Sequence, residues 1–261
     1  IWNTSFSSDK IAEHAGMKVL DYSNYGNNGT RISNLSSDFG RNFTDGKFSK
    51  GLVFDGVNDW VNTTVNLTGK SAATLEAWVN PLSFGAKDGY MEVMISSDTG
   101  NNLVLRLGTG TANQNTRIRF CINNDCIASG DNSYELNKWQ HIASTWDGST
   151  SRIYKDGIQI VSGAVVAGSI RNHSAIMISS YPPFSSAFNG TIDELSIWNV
   201  SLSSDDIRKH YERGVLKLNL SYRTSNDNST WSAWAGVSNN SLSGLCVGED
   251  SLITLANGSK K

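Results

Sequence analysis

Proline is scarce. The chain has 3 prolines among 261 residues, against roughly 13 at the usual ~5%, which excludes a proline-rich stalk. Charge is also thin: Asp, Glu, Lys and Arg make up 18%, where about a quarter is usual in soluble domains. With a formal net charge of −2, no basic stripe points to nucleic acid or anionic lipid. No apolar run reaches the roughly 18–20 residues of a membrane span. There are only 3 cysteines, so a zinc site built on two cysteine pairs is not expected. Serine, asparagine, threonine and glycine fill the gaps. Aromatics are plentiful at 10%, which argues against disorder. The length suits one large β domain, or a medium domain plus a small one. The chain opens on Ile1, the expectation for a removed leader or an excerpt of a longer protein.

The asparagines carry information. Of 27, 13 sit in N-x-S/T with x not proline: Asn3, Asn28, Asn34, Asn42, Asn62, Asn66, Asn172, Asn189, Asn199, Asn219, Asn228, Asn239 and Asn257. Chance in a chain this rich in Ser and Thr gives about five or six. The excess points to a heavily N-glycosylated exported protein, extracellular or at the cell surface, because such acceptors need exposed surface.

Cysteine use fits export. Cys121 and Cys126 flank Ile122-Asn123-Asn124-Asp125, between strand-like runs. Asn123-Asn124 suits a two-residue turn, since asparagine tolerates positive φ. Ile122 and Asp125 then form a hydrogen-bonded pair, and Cys121 faces Cys126 across the next, non-hydrogen-bonded pair. Such a pair has Cα atoms about 4.5 Å apart, inside the range a disulfide accepts. The alternative is two thiols on a hairpin. Cys246 is left over, either free or paired with chain beyond this sequence.

Short β runs separated by turn residues read as an all-β sandwich. Strands are expected near 52–54, 60–64, 74–80, 91–96, 103–107, 117–122, 139–146, 152–154, 158–161, 175–179 and 191–198. Leu75, Ala77 and Val79 alternate onto one face. One helix is expected at 203–213: Ser203-Ser204-Asp205-Asp206 is a capping signature. Ile207, His210 and Tyr211 share a face, and Gly214 suits a C-cap. The texture changes after Gly214, so a boundary is placed there. Residues 215–261 read as a partial second β segment, continued in chain outside this sequence or completed by a neighbour's strand.

Several segments together resemble one family. They are Asp21-Tyr-Ser-Asn-Tyr-Gly-Asn-Asn-Gly-Thr30, Gly51-Leu-Val-Phe-Asp-Gly-Val-Asn-Asp-Trp-Val61, Leu75-Glu-Ala-Trp-Val79 and Trp139-Gln-His-Ile-Ala-Ser-Thr-Trp-Asp147. Ile153-Tyr-Lys-Asp-Gly157 and Phe188-Asn-Gly-Thr-Ile-Asp-Glu-Leu-Ser-Ile-Trp198 complete the set. In order and spacing these resemble the laminin-G-like, concanavalin-A-like (lectin/glucanase) domains over residues 1–214. The resemblance implies an all-β jelly-roll sandwich of two antiparallel sheets. It makes Trp78, Trp139, Trp146 and Trp198 core or near-core, and His141 buried and hydrogen-bonded. It also implies one structural calcium, with Asp21, Asn27 and Asp193 as donors if the signature loop packs on the Asp193 turn. The competing reading is that both aspartates hold backbone amides in turns.

The same fold hosts glycoside hydrolases, so catalysis is judged at the site. Such enzymes use two carboxylates about 5–10 Å apart, in this fold on one strand as E-x-D-x-x-E, and that run is absent here. Asp193 and Glu194 are adjacent and are expected on opposite faces of a strand. No G-x-S-x-G or H-E-x-x-H occurs. Two non-enzymatic readings remain. One is a structural or adhesive module of a glycosylated surface assembly, a filament, surface layer or adhesin, with copies of itself or other surface proteins as partners. The other is a calcium-dependent lectin whose loop aromatics Tyr181 and Phe184, with Tyr90 nearby, stack on sugar.

Overall fold

A computed structural model describes residues 2–3, 18–32, 43–48, 50–84, 89–97, 101–108, 116–179, 186–213, 221–222, 230 and 235–236. In chain order the strands are β1 (Trp2–Asn3), β2 (Lys18–Val19), β3 (Gly29–Ile32), β4 (Phe43–Asp45), β5 (Lys50–Asp55), β6 (Trp60–Asn62), β7 (Ala73–Pro81), β8 (Tyr90–Ser96) and β9 (Leu103–Gly108). They continue as β10 (Ile118–Ile122), β11 (Asp125–Ala128), β12 (Gln140–Trp146), β13 (Thr150–Lys155), β14 (Ile158–Ala164), β15 (Ile176–Ser179) and β16 (Asn189–Trp198). Helix α1 (Ser204–Tyr211) follows, then β17 (Ser221–Tyr222) and β18 (Ala235–Gly236). Two compact units emerge, Ile1–Arg213 and Gly214–Lys261. In the second, β17 and β18 pair antiparallel.

The first unit is a sandwich of two antiparallel sheets. One runs β14-β13-β12-β7-β16-β5-β4, with β1 also on β16; the other runs β11-β10-β9-β8-β15-β6-β3-β2. Alternation within each strand builds the layer between them. Leu75, Ala77 and Val79 from β7, Ile142 and Trp146 from β12, and Leu103, Leu105 and Leu107 from β9 all lie in that core. Trp146 is fully buried, and its Nε1–H donates to the Val165 carbonyl at 2.8 Å, so the indole's one polar atom is satisfied.

β7 is buried along nearly its whole length, on both faces. It is central in its sheet, and its outer face is covered as well. The residue types show which face is which: Glu76 and Trp78 alternate with the core aliphatics. Ser203 caps α1, its Oγ accepting the Asp206 amide, and Ile207 is the helix's buried anchor. Ile207 packs with Ala143, Tyr154 and Leu202 in a small second cluster.

The β10–β11 hairpin has the expected register, Ile122 opposite Asp125 and Cys121 opposite Cys126. Asn123 and Asn124 take φ of 53° and 73°, as a two-residue turn with both central residues left-handed requires. Cys121 and Cys126 form a disulfide with Cα atoms 4.1 Å apart. Intact mass should therefore gain two hydrogens at this hairpin on reduction. Trp146→Ala should cost about 3–5 kcal/mol by chemical denaturation.

Candidate functional site

One extra residue in β16 shapes the outer face of the first sheet. Ile192 points into the core and Asp193 out, so a regular strand would turn Glu194 inward. Instead the register against β7 shifts between Asp193 and Ser196, and Glu194 sits at φ 48°. This is a β-bulge. Leu195 and Ile197 return to the core, while Glu194, Ser196 and Trp198 all line the outer face. The expectation that Asp193 and Glu194 face opposite ways is thereby corrected: the bulge puts both carboxylates on one side.

Asp193 is fully buried beneath the β4–β5 turn. Its Oδ2 accepts the amides of Lys47 at 2.8 Å and Phe48 at 3.1 Å, and its Oδ1 accepts the Glu194 amide at 2.8 Å. Burial raises its pKa, and the three amides pull it back. Gly46 makes this seat possible, since a Cβ there would stand 2.5 Å from Asp193 Oδ2.

Beside the seat lies a cleft of about 190 Å³ lined by Phe48, Glu76, Trp78, His141, Glu194, Ser196, Trp198, His210 and Arg213. Glu76 is its centre. Oε1 accepts Trp198 Nε1–H at 2.8 Å and lies 2.9 Å from His210 Nδ1. His141 Nε2 is 3.7 Å from Oε2. The hydrogen bond to Glu76 raises the His210 pKa. His141 is pushed down to about 4, first by burial, and its Nδ1 has no hydrogen-bond partner; the ring is neutral at neutral pH. Burial pushes Glu194 up to about 7, against the pull of Arg213, with which it forms an ion pair. Trp78 is closed in by Tyr211, stacked at 5.6 Å, by Lys47 Nζ at 4.4 Å and by the Phe48 edge at 5.7 Å. Each carboxylate here is committed to a fixed donor. Their joint effect is to fasten α1 and Arg213 to the sheet, because His210, Tyr211 and Arg213 all project onto it.

The other expected residues fall elsewhere. Asp21 lies after β2, at the edge of the second sheet. Its oxygens accept Ser23 N, Ser23 Oγ and Asn27 N, each at 2.8 Å, while Asn28 Oδ1 accepts the Asp21 amide. Asn27 thus contributes its amide to Asp21. Asp193 belongs to the first sheet with its own amides. Asp21 and Asp193 thus each hold backbone amides in their own turns; a calcium shared by Asp21, Asn27 and Asp193 would need six to eight oxygens converging. Among the described residues no group of three or more His, Cys, Asp or Glu is placed to hold a metal. Tyr181 and Phe184 lie outside the described residues, as do the side chains of Asn3, Asn34, Asn42, Asn219, Asn228, Asn239 and Asn257. Asn62, Asn66, Asn172 and Asn199 are exposed; Asn28 and Asn189 are half-buried. Of the tryptophans, Trp146 is core, Trp78 is buried on the outer face, and Trp139 and Trp198 are half-buried.

A family model described as the concanavalin A-like lectin/glucanases superfamily, Laminin_G_3, matches residues 55–208. The chain belongs to this superfamily. Pappalysin-1 of Mus musculus is 26% identical over 177 residues, covering 62% of this chain and 10% of that protein. This Laminin_G_3 chain therefore spans about a tenth of the curated relative it matches. Domain 4 of AbnA, an extracellular GH43 arabinanase of Geobacillus stearothermophilus, solved with arabinotriose, superposes with a TM-score of 0.57 at 19% identity. That match covers 80% of this chain and 96% of that one. The binding domain of Paraclostridial Mosquitocidal Protein 1 gives 0.61 at 16% identity, over 84% and 53%. The binding domain of botulinum neurotoxin DC, solved with SialylT, gives 0.59 at 14%, over 85% and 53%. These likenesses establish the sandwich fold.

Two outcomes test the cleft. Gly46→Ala should destabilise by about 1–3 kcal/mol, read as a lowered urea midpoint. Between pH ~6.5 and ~8 the melting temperature should fall as pH rises. Folded Glu194 and His210 both hold protons more tightly than when unfolded, so their contributions fade upward through that window; His141, neutral when folded but partly charged when unfolded near pH 6.5, opposes them only at its lower end. Glu194→Gln should flatten the slope.

Proposed function

We propose that this Laminin_G_3 chain is a non-catalytic extracellular module, structural or adhesive in kind, of a glycosylated cell-surface assembly. The observation that carries the reading is the placement of its acceptor asparagines. Asn62, on β6, Asn66 and Asn172, in adjoining loops, and Asn199, just past β16, are all exposed on the sandwich. Sugar there is compatible with the fold. The non-catalytic part is supported by the commitment of Glu76, Asp193 and Glu194 to structural donors. Among the described residues no helix is long and apolar enough to cross a membrane.

A glycan-binding role is the second reading. It is favoured by the domain solved with arabinotriose, almost all of which this chain matches, and by the toxin binding domain solved with SialylT.

Glycopeptide mass spectrometry of protein from a glycosylating host should find sugar at Asn62, Asn66, Asn172 and Asn199. Asn189 should be bare, because its Nδ2 donates to Ser83 Oγ at 2.9 Å. Bare asparagines at all four exposed sites would sink the glycoprotein reading. Negative-stain microscopy of the native protein separates the two roles. Filaments or sheets support the assembly; isolated particles that bind free glycan support the second reading.

A further inference from the structure

Three charged side chains stand in one row on the outer face of the second sheet. Glu92 of β8 pairs in register with Arg106 of β9, and Arg106 with Arg119 of β10. Their neighbours Met91, Val93, Leu105, Leu107, Ile118 and Phe120 fill the core, so the row faces outward. Glu92 and Arg106 form an ion pair at 3.2 Å, with side chains only 2% and 6% exposed. The Arg106 guanidinium also lies 4.5 Å from the Tyr90 ring centroid, a cation–π contact that fixes its plane.

Arg119 completes the row and is not neutralised. It is half-buried, and among the described residues no carboxylate lies within ion-pair distance of it. Like charges directly opposite on neighbouring strands are destabilising, and the one carboxylate of the row, Glu92, pairs with Arg106 and acts on Arg119 only from farther off. Burial and the charge of Arg106 lower the Arg119 pKa, against the weaker pull of Tyr90 and Glu92. Behind it, Glu92 Oε2 and Arg106 Nε are buried with no hydrogen-bond partner. Groups arranged so stand out in a chain that elsewhere matches its buried carboxylates to donors.

We propose that this row is a seat for a carboxylate-bearing sugar, with the Arg119 guanidinium taking the carboxylate and Arg106, Glu92 and Tyr90 holding Arg119's surroundings in place. A planar guanidinium offers two parallel N–H donors, which match one carboxylate. One such cation suits one acid group. A polyanion needs many free cations along a groove, and the net charge of −2 does not offer them. Arg119 is the contact residue; Arg106 and Glu92 are positioning residues. The choice of sugar rests on the glycan-binding reading above.

The test titrates the full chain with sialyllactose, a hyaluronan tetrasaccharide, lactose and pentaglutamate, by calorimetry and saturation-transfer NMR. The two acidic sugars should bind at least about tenfold more tightly than lactose or pentaglutamate. Arg119→Ala should lose at least about tenfold for the acidic sugars, and Arg119→Lys should fall between, because the fork is lost while the charge stays. Arg119→Ala should melt no lower than the parent, since it removes a like-charge neighbour, which separates lost binding from lost folding. Unchanged binding of acidic sugar by Arg119→Ala overturns the seat and leaves the glycan reading standing. Equal binding of lactose overturns the acid selectivity. Equal binding of pentaglutamate makes the seat one for acidic peptide and overturns the sugar. Binding of no sugar at all removes both the seat and the glycan reading.

Discussion

The first sheet is organised around a carboxylate that cannot be left alone. Asp193 is taken fully out of water, which is tolerable only because three backbone amides converge on it. Two of them come from the β4–β5 turn, so that turn must lie flat on β16, and Gly46 must have no side chain. Once the turn is down, Phe48 and Lys47 close over Trp78, and the bulge that frees the Glu194 amide for Asp193 also swings the Glu194 carboxylate outward. Arg213 and His210 then find Glu194 and Glu76 facing them, and α1 docks.

Membership of the lectin/glucanase superfamily opens two histories for a carboxylate-bearing sheet face. In this chain the carboxylates of the first sheet work as fasteners. The raised proton affinities of Asp193 and Glu194 follow from burial, a property that stability shares with catalysis. The second sheet differs: its charged row is balanced on one side only. The sandwich thus has one face closed by its own helix and another whose electrostatics are unfinished.

Much of this was legible beforehand. The β7 alternation put Leu75, Ala77 and Val79 on one face, and the helix face carrying Ile207, His210 and Tyr211 was readable; Trp78, expected in or near the core, is buried on the other face of β7. Neither said that the two surfaces meet, because that depends on a crossover of more than 120 residues. The disulfide was legible because a two-residue asparagine turn fixes its own register. The bulge was missed through an assumption of strict period two. The spacing of Ile192, Leu195 and Ile197, three and then two, was its trace.

β16 is near the centre of its sheet yet is the last strand of the sandwich in the chain. It inserts between β7 and β5, with Ile192 opposite both Val79 and Leu52. During synthesis those two strands must wait, with unpaired edges, until more than 100 further residues have been made. Unpaired edges invite the wrong partner, and non-local pairing is slow to form. The order of synthesis therefore keeps this sandwich open until β16 has been made. A nascent chain halted before β16 lacks the strand that joins β7 to β5 and leaves both edges open to another molecule's strand.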